Sequence, residues 1–597
     1  MPIFRELKRR NVFRVAAAYA VTAWLLLQLI DVVAPIIEAP DWVPKALLLL
    51  VIVGFPVSLL FAWAFELTPE GLKFERDVDR AASITYSTGR KLDFVIISVL
   101  SIALIVFAVD RFLWRETTLT IGESDRRSIA VLPFANMSGD PGQQFFSDGI
   151  SEEILNALVR VDGISVASRT SSFRFRGDQT SIRAIAEELG VLFVLEGSVR
   201  KDGEQLRITA QLIEAESDRH LWSETYDKQL EDVFAIQTDI ANSITRSIQG
   251  HMGIEAAAPQ QVKTLTQDMD AYELYLKGYL AYQHRAVPQD VIDSITYLEL
   301  AVARDPQFAV AWQYLGAAYA TLPYWPASGI DFDEYIRKSN DAAERALALD
   351  PELAFAHTIL AENLSVTPPY DRKAAERQYE LAAEKGSVEP TSYNWQGIAL
   401  GMAGYLDEST AALQRCLQID PEYRNCRYGL HQVYASRNDA ARRKQLADEI
   451  YGSGEWSRNL AFIDVLFLLT LGERNAAVIA VAHVDGFEDA PYMMLIEALD
   501  NPDEDHSAAL RRYEAWAEEN NIELSRYPEL LAALGAYDRV DFARLADYWY
   551  WLPVYARFRQ SDHFKSEIRR MGILAQWREK GFPPMCRPAG KNDFECD

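Results

Sequence analysis

The sequence predicts a multidomain protein made of three transmembrane α-helices, a mixed α/β domain and an all-α solenoid of paired helices. Three observations support this fold class. Long apolar runs are confined to the first 115 of the 597 residues. Residues 127–250 mix strand-like and helix-like periods, and helical periodicity with recurring prolines begins at residue 269. Linkers are predicted at 116–126 and 251–268.

The predicted membrane domain, residues 1–115, holds three apolar segments at about 15–37, 46–65 and 94–114. About 20 apolar residues suffice to cross the hydrocarbon core of a bilayer. A cleaved signal peptide is the alternative for the first segment, but no small-residue cleavage site follows it before the second. Five basic residues precede the first segment, one lies in the next connection and five lie in the following one. This distribution predicts a cytoplasmic N-terminus and places the chain after about residue 115 outside the cytoplasm.

The next region, residues 127–250, has the pattern of an α/β domain. Residues 128–136 are typical of a buried strand, and residues 145–161 have helical periodicity. Two alternating runs flank Asp202 and Gly203, and Asp-Gly between such runs is a strong β-hairpin signal. Further helices are predicted at 182–189, closed by Gly190, and at 233–248.

Four runs in this domain resemble the TolB-like N-terminal domain of bacterial signalling proteins, to which the flagellar FlgO-type domain is related. They are SIAVLPFANMSGDPGQQFFSDGISEEILNAL, VASRTSSFRFRG, LGVLFVLEGSVRKDGEQLRITAQLIEAES and HLWSETYDKQLEDVFAIQ. In that family the domain often lies between a membrane helix and tetratricopeptide repeats, and it is also fused to adenylate/guanylate cyclases and CadC-type regulators. The resemblance implies a bacterial inner-membrane protein with a periplasmic TolB-like domain. Neither a cyclase nor a winged helix is expected, because only about a dozen residues precede the first predicted span.

Two polar clusters in this domain allow both a functional and a structural interpretation. The first, Ser147–Gly149 followed by Ser151–Glu153, is either an acid and nucleophile cluster or an acid-rich first helical turn, which the helix dipole favours. The second, Arg169–Ser172, is either an anion-binding loop or an ordinary strand-to-loop edge.

Residues 269–440 resemble tetratricopeptide repeats, in which a small residue lets two helices approach and proline ends the second helix. Trp312, Leu315, Gly316 and Tyr319 fit the first helix of one repeat. Prolines recur near the predicted repeat ends, at Pro306, Pro351, Pro390 and Pro421. Residues 441–597 are predicted to form divergent helical pairs and a polar tail, with helices at 461–471, 508–518 and 542–551, the last closed by Pro553.

The family binds ligands on the concave face of the first helices, and this implies a partner-binding groove in this chain. Carried onto this register, the groove comprises Gln313, Thr358, Glu362, Asn394, Tyr428 and Gln432. The alternative is a solvated polar face without a ligand.

The four cysteines fall into two local pairs, each ten residues apart. In the repeat register Cys416 ends one helix and Cys426 begins the next, so a disulfide is within reach. A second disulfide, Cys586–Cys596, is predicted to pin the tail. The alternative for Cys416 is a small core residue, and disulfides also require an oxidising compartment.

Composition and motifs argue against several functions. Residues 116–597 carry 47 basic and 75 acidic side chains, a balance of −28, which disfavours nucleic-acid binding. No phosphate-binding, dinucleotide, nucleophile-elbow or zinc-protease motif is present, and the eight histidines lack metal-ligand spacing. We therefore predict no catalytic residue, cofactor or metal. The predicted function is a non-enzymatic scaffold that binds a protein or peptide, with a sensor or accessory subunit of a membrane signalling complex as the alternative and an enzyme as a third class.

Overall fold

The computed structural model describes residues 128–597 with short gaps, together with a few residues before position 128. The gaps are residues 162, 178–179, 253–263, 326–329, 453–457, 483–488, 502–503, 541–548 and 592. The chain divides into two compact units, Met1–Ile121 and Gly122–Asp597.

The predicted membrane domain is not supported. Among the described residues, no helix is both long enough and apolar enough to cross a bilayer. Phe65, predicted to end the second span, begins strand β1 (Phe65–Thr68), which pairs antiparallel with β2 (Gly71–Phe74). The segments at 15–37, 46–65 and 94–114 otherwise lie mainly outside the described residues. The inner-membrane location and the periplasmic placement depended on these spans and are withdrawn with them.

In the second unit, an α/β domain is built on a six-stranded mixed sheet. Its strands are β3 (Ser128–Val131), β4 (Ala135–Asn136), β5 (Ser165–Val166), β6 (Phe193–Asp202), β7 (Gln205–Glu214) and β8 (Arg219–Gln229). The order is β5-β3-β6-β7-β8, with β4 beside β6. The neighbours of β3 are parallel to it, and β6, β7 and β8 form an antiparallel meander.

Two details of the sheet follow from local sequence. The strand predicted at 128–136 is split into β3 and β4 around Pro133, which lacks the N–H that a continuous ladder requires. The predicted hairpin is present: Asp202 pairs with Gln205, and Gly203 between them has a φ of +59° that glycine tolerates.

Four helices complete the α/β domain. They are α1 (Gln144–Val159), α2 (Arg169–Phe173), α3 (Ile182–Leu189) and α4 (Val233–Met252). The Ser168 side chain accepts a hydrogen bond from the backbone N–H of Ser171 and so caps α2. Helix α3 ends at Gly190 as predicted, because this residue is in the left-handed conformation common after helices.

In the described part of the chain after residue 263, seven helix pairs follow, an architecture compatible with tetratricopeptide repeats. The pairs are α5 (Met269–Gln283) with α6 (Pro288–Arg304), α7 (Ala309–Thr321) with α8 (Phe332–Leu349), α9 (Ala354–Val366) with α10 (Arg372–Glu384), α11 (Pro390–Met402) with α12 (Leu406–Ile419), α13 (Arg424–Ser436) with α14 (Ala440–Gly452), α15 (Arg458–Thr470) with α16 (Arg474–Ala482), and α17 (Asp489–Asp500) with α18 (Ser507–Glu519). A Cβ on Gly397 of α11 would lie 2.7 Å from Cγ of Leu413 on α12. Glycine at that position therefore lets the two helices pack closely.

Three of the four prolines mark the ends of second helices. Each of these prolines follows an aspartate that ends the helix: Asp305, Asp350 or Asp420. The side chain of each aspartate accepts a hydrogen bond from the backbone N–H two residues further on. Pro390 differs from the prediction because it begins α11, where its missing N–H leaves no helical hydrogen bond unmade.

The last segment packs back on the fourth repeat. It contains α19 (Pro528–Ala533), α20 (Ala556–Arg559), α21 (Asp562–Arg570), α22 (Ile573–Lys580), β9 (Cys586–Pro588) and β10 (Phe594–Cys596). The Tyr550 hydroxyl donates to the Met402 carbonyl at 3.0 Å, and Trp577 Nε1 donates to the Ala403 carbonyl at 2.7 Å.

Two predictions for this segment need correction. Most of the helix predicted at 542–551 lies outside the described residues, and its described end, Trp549–Trp551, is a 3₁₀ turn. Pro553 begins the next turn rather than ending a helix. The tail is not a merely polar appendage, since Phe594 is fully buried and its ring lies 5.0 Å from that of Trp577.

Both cysteine pairs are disulfides in the structure. Cys416, in the last turn of α12, is bonded to Cys426, in the first turn of α13, with a Cα–Cα distance of 6.4 Å. Cys586 and Cys596 face each other across the paired strands β9 and β10, with a Cα–Cα distance of 4.1 Å.

Candidate interaction site

Helices α5, α7, α9, α11 and α13 form what we call the first-helix face, where the partner-binding groove was predicted. Five of the six predicted groove residues are buried on it, each at most 5% exposed: Gln313, Thr358, Glu362, Asn394 and Gln432. Tyr428 is half-buried. Five of the six residues are thus packed inside the repeats, and their role in binding a partner stays a prediction.

Their contacts show why they are buried: they join neighbouring helices. The Thr358 hydroxyl donates to Ser392 Oγ at 2.9 Å. The Glu362 carboxylate accepts hydrogen bonds from the hydroxyls of Tyr324, at 3.3 Å, and Tyr379, at 3.2 Å. Burial raises the pKa of Glu362 to about 7.

The α/β domain packs against the start of the first-helix face through an apolar contact. We call Gly149, Phe234, Tyr272 and Leu276 the docking base. A Cβ on Gly149 of α1 would lie 2.7 Å from Cδ2 of Leu276 on α5, so only glycine lets the two helices come this close. The rings of Phe234 and Tyr272 meet edge to face with their centres 4.8 Å apart. As a result, the α/β domain and the first repeats share one continuous apolar core.

Beside the docking base lies a buried ion pair of the α/β domain, which contacts helix α5 of the first repeat. Glu152 of α1 is 2% exposed, and Arg169 Nε donates to its carboxylate at 2.8 Å. The Tyr279 hydroxyl of α5 donates to the other carboxylate oxygen. Burial raises the pKa of Glu152, although Arg169 and Tyr279 oppose that shift. The Arg169 guanidinium also lies 3.1 Å from Nε2 of His284, whose Nδ1 is bonded to the Leu280 carbonyl.

At the far end of the contact, two hydroxyls of the α/β domain reach the turn between α12 and α13. We call Ser168 and Thr170 the docking tip. Ser168 Oγ donates to Asp420 Oδ1 at 3.0 Å, and Thr170 Oγ1 donates to Asp420 Oδ2 at 2.7 Å. Asp420 is 5% exposed and burial raises its pKa, whereas Thr170 is exposed.

Further polar contacts on the first-helix face were not anticipated from sequence. Arg285 Nη2 donates to the Tyr423 hydroxyl at 3.0 Å, and the Tyr314 hydroxyl donates to Glu389. The signal that could have revealed this buried face is the helical spacing of aromatic residues in α5, at Tyr272, Tyr275, Tyr279 and Tyr282.

The two polar clusters weighed in the sequence have a common structural role. Helix α1 begins at Gln144, so Asp148 and Glu152 lie beyond its first turn and pair with arginines, Asp148 with Arg176 and Glu152 with Arg169. The Arg169–Ser172 cluster forms the start of α2 and contacts the carboxylates of Glu152 and Asp420. The anions that this cluster binds therefore belong to the same chain. Within the described ranges, no group of three or more potential metal ligands is present.

Comparisons with known proteins add a coarse functional class. Residues 124–243 match a family described as HilA/YgeH-like transcriptional regulator, second domain. Over 154 residues the chain is 44% identical to the Rhizobium meliloti (strain 1021) protein named "Putative adenylate cyclase 3", and the aligned part is 25% of this chain and 26% of that protein. The chain thus spans about a quarter of that relative's length. The printed names of both matches are those of regulatory or signalling proteins, while the TolB-like assignment stays a prediction.

Proposed function

We propose that this chain is a non-enzymatic signalling adaptor whose helical repeats bind a protein or peptide partner, and whose α/β domain controls access to the first-helix face. The observation that carries the proposal is the docking tip on Asp420. Through this contact and the docking base, the α/β domain lies against both α5 and the turn between α12 and α13, next to the surface that repeat proteins of this architecture offer to partners.

The docking tip has the chemistry of a contact that can be exchanged. It consists of two hydrogen bonds from neutral hydroxyls, each worth about 0.5–1.5 kcal/mol net. Within the described residues, no cation forms an ion pair with Asp420. A partner segment that offers a hydroxyl or a cationic donor would satisfy this carboxylate at least as well.

The docking base would confine the release of the α/β domain to the docking tip. Tyr272 and Leu276 are fully buried in the shared core. The α/β domain therefore stays attached to α5 when the docking tip loses its hydrogen bonds to Asp420. A partner therefore competes with two hydrogen bonds rather than with the whole domain contact.

The experiment compares partner capture by the full native chain and by the full chain carrying Ser168→Ala and Thr170→Val. Thr296→Val is the matched control, because Thr296 is an exposed hydroxyl on α6 outside the contact. We expect the tip variant to retain more of a specific protein partner from its cell extract than the native chain, and the control to match the native chain. Equal retention by all three chains would contradict the proposal.

The name of the relative makes cyclase activity the alternative to exclude. The full chain should form no cyclic nucleotide from ATP or GTP with magnesium or manganese. Formation of cyclic nucleotide above a heat-inactivated sample would show that the chain is an enzyme.

A further inference from the structure

A cavity of about 400 Å³ lies where α22 packs against the third and fourth repeats. Helices α10, α11 and α12 supply its other walls. Its polar lining includes Arg372, Tyr379, Tyr393, Arg415, Gln576 and Lys580. None of the lining residues belongs to the α/β domain, so this inference does not rest on the proposed function.

Arg372, the first residue of α10, is a buried cation that forms no ion pair among the described residues, and Glu362 is the carboxylate that acts on it electrostatically. Arg372 is only 5% exposed, and its Nη2 has no hydrogen-bond partner among the described residues. Its other nitrogens make long contacts, Nε to the Met571 carbonyl at 3.4 Å and Nη1 to the Ala399 carbonyl at 3.5 Å. Burying an unpaired charge is costly.

The position of Arg372 in its helix adds to that cost. A helix N-terminus carries partial positive charge and favours anions. Asp371 already caps α10 by accepting from the Ala374 N–H at 2.9 Å. Glu362, the nearby buried carboxylate, is bonded to Tyr324 and Tyr379. The charge of the helix terminus therefore gives no reason for a cation at this position.

A second unsatisfied group faces the same cavity from α22. The Gln576 side-chain oxygen is buried and has no hydrogen-bond donor among the described residues. At the mouth, Lys580 is bonded to Glu376 at 2.7 Å, which neutralises both, and Arg415 bonds Gln418 at 3.0 Å. Much of the remaining wall is apolar or aromatic: Ala375, Tyr379, Ala399, Leu400, Ala411 and Ala412.

We propose that this cavity binds a small organic acid, with its carboxylate on Arg372 and a hydroxyl or amine group donating to Gln576. A single buried guanidinium matches one carboxylate, which it can hold through paired N–H groups. The apolar walls match a hydrocarbon or aromatic body, and the volume lies in the range of small-molecule sites. A phosphate dianion would find only one buried cation, Arg372, because Arg415 is exposed.

The test is calorimetric titration of the full chain with three main probes, and with benzoate and inorganic phosphate for comparison. The main probes are para-hydroxybenzoate and para-hydroxyphenylpropionate as acids, and para-hydroxybenzamide as the neutral match. We expect at least one acid to bind about tenfold or more tightly than the amide, as a hydrogen-bonded charge implies. Arg372→Met should remove this preference, whereas Arg377→Met, an exposed arginine on the same helix, should retain it.

Two further readouts separate a binding role from a packing role. Without a probe, Arg372→Met should melt at or above the native temperature, because it removes an unpaired buried charge. Gln576→Leu should weaken binding of the hydroxylated acids more than binding of benzoate. The proposal is overturned if neither acid binds in an Arg372-dependent way, if acid and amide bind equally, or if inorganic phosphate alone binds at Arg372. A marked drop in the melting temperature of Arg372→Met would also overturn it, because the arginine would then belong to the packing.

Discussion

The docking base and the docking tip join the same two parts of the chain, but by different physics. The base buries aromatic and aliphatic side chains and needs glycine at position 149 for close approach. In the tip, the exposed hydroxyl of Thr170 and the half-buried hydroxyl of Ser168 donate hydrogen bonds to Asp420. Burial of apolar side chains contributes a large, pH-independent stabilisation. Hydrogen bonds at the edge of an interface contribute little, because water or a partner can replace them. One interface can therefore hold the domain in place permanently and still open at one end.

Removing Tyr272 from the base should have the largest effect. Tyr272→Ala deletes a fully buried aromatic side chain and should lower the free energy of unfolding by about 3–5 kcal/mol. Tyr272→Phe is the control, since it loses only the hydrogen bond from Gln237 and should cost about 1 kcal/mol. Denaturant unfolding followed by fluorescence measures both. A cost for Tyr272→Ala no greater than that for Tyr272→Phe would mean that the base does not hold the two parts together.

Breaking the buried ion pair should have the second-largest effect on the free energy of unfolding. Arg169→Met leaves Glu152 buried without its cation, at a cost of about 3 kcal/mol near neutral pH. Adding Glu152→Gln should restore most of this loss, because no buried charge then remains. The loss should shrink as the pH falls toward the ordinary range of a glutamate, since Glu152 then takes up a proton. Additive losses in the double variant would show that the pair is not coupled.

Removing the disulfide beside Asp420 should weaken the contact of the docking tip without substituting Ser168 or Thr170. Cys416→Ala with Cys426→Ala opens a loop that contains Asp420 and should cost about 2–3 kcal/mol in the chain-entropy model. Cys586→Ala with Cys596→Ala is the matched control, since the same sequence separation is opened away from the tip. Hydrogen exchange at residues 168–171 should accelerate in the first variant and stay native in the second. Equal exchange in the two variants would show that the bond does not position Asp420.

Local signals predicted much of the second unit. The Asp-Gly hairpin, the glycine after α3 and the Asp-Pro ends of second helices each depend on residues a few positions apart. Small residues such as Gly397, facing a large neighbour such as Leu413, likewise indicated paired helices. Such features are set by backbone conformation and nearest-neighbour packing, so one sequence suffices to reveal them.

The docking of the two parts could not be predicted in the same way. Ser168 and Asp420 are 252 residues apart, and neither carries a local pattern that points to the other. Polar residues on the first helices were interpreted as a ligand groove because polarity alone does not distinguish an open face from a buried hydrogen bond. The apolar runs before residue 115 met a length criterion for membrane spans, but length and composition do not show that a continuous helix forms.

A pH change should distinguish the tip from the base. Burial raises the pKa of Asp420, so between the unfolded and the folded pKa the folded chain binds a proton there that the unfolded chain has lost. Stability from this group is thus highest below the ordinary aspartate range and falls as pH rises through the raised pKa. Asp420→Asn should remove that part of the pH dependence, as measured by hydrogen exchange at residues 168–171 between pH 4 and 8. An unchanged pH profile would assign the dependence to Glu152 or another buried acid.

The smallest expected effect belongs to the docking tip itself, in the variant Thr170→Val. The substitution preserves shape and removes one hydroxyl donor, so it should cost about 1 kcal/mol or less. Because Thr170 is exposed, the lost bond is partly replaced by water at Asp420, which keeps the global stability nearly native. The local effect should be larger than the global one: exchange at residues 168–171 should speed up several-fold, while exchange in α1 and α5 stays unchanged. If α1 and α5 loosen together with residues 168–171, base and tip open as one unit, and a partner could reach the first-helix face only by displacing the whole α/β domain.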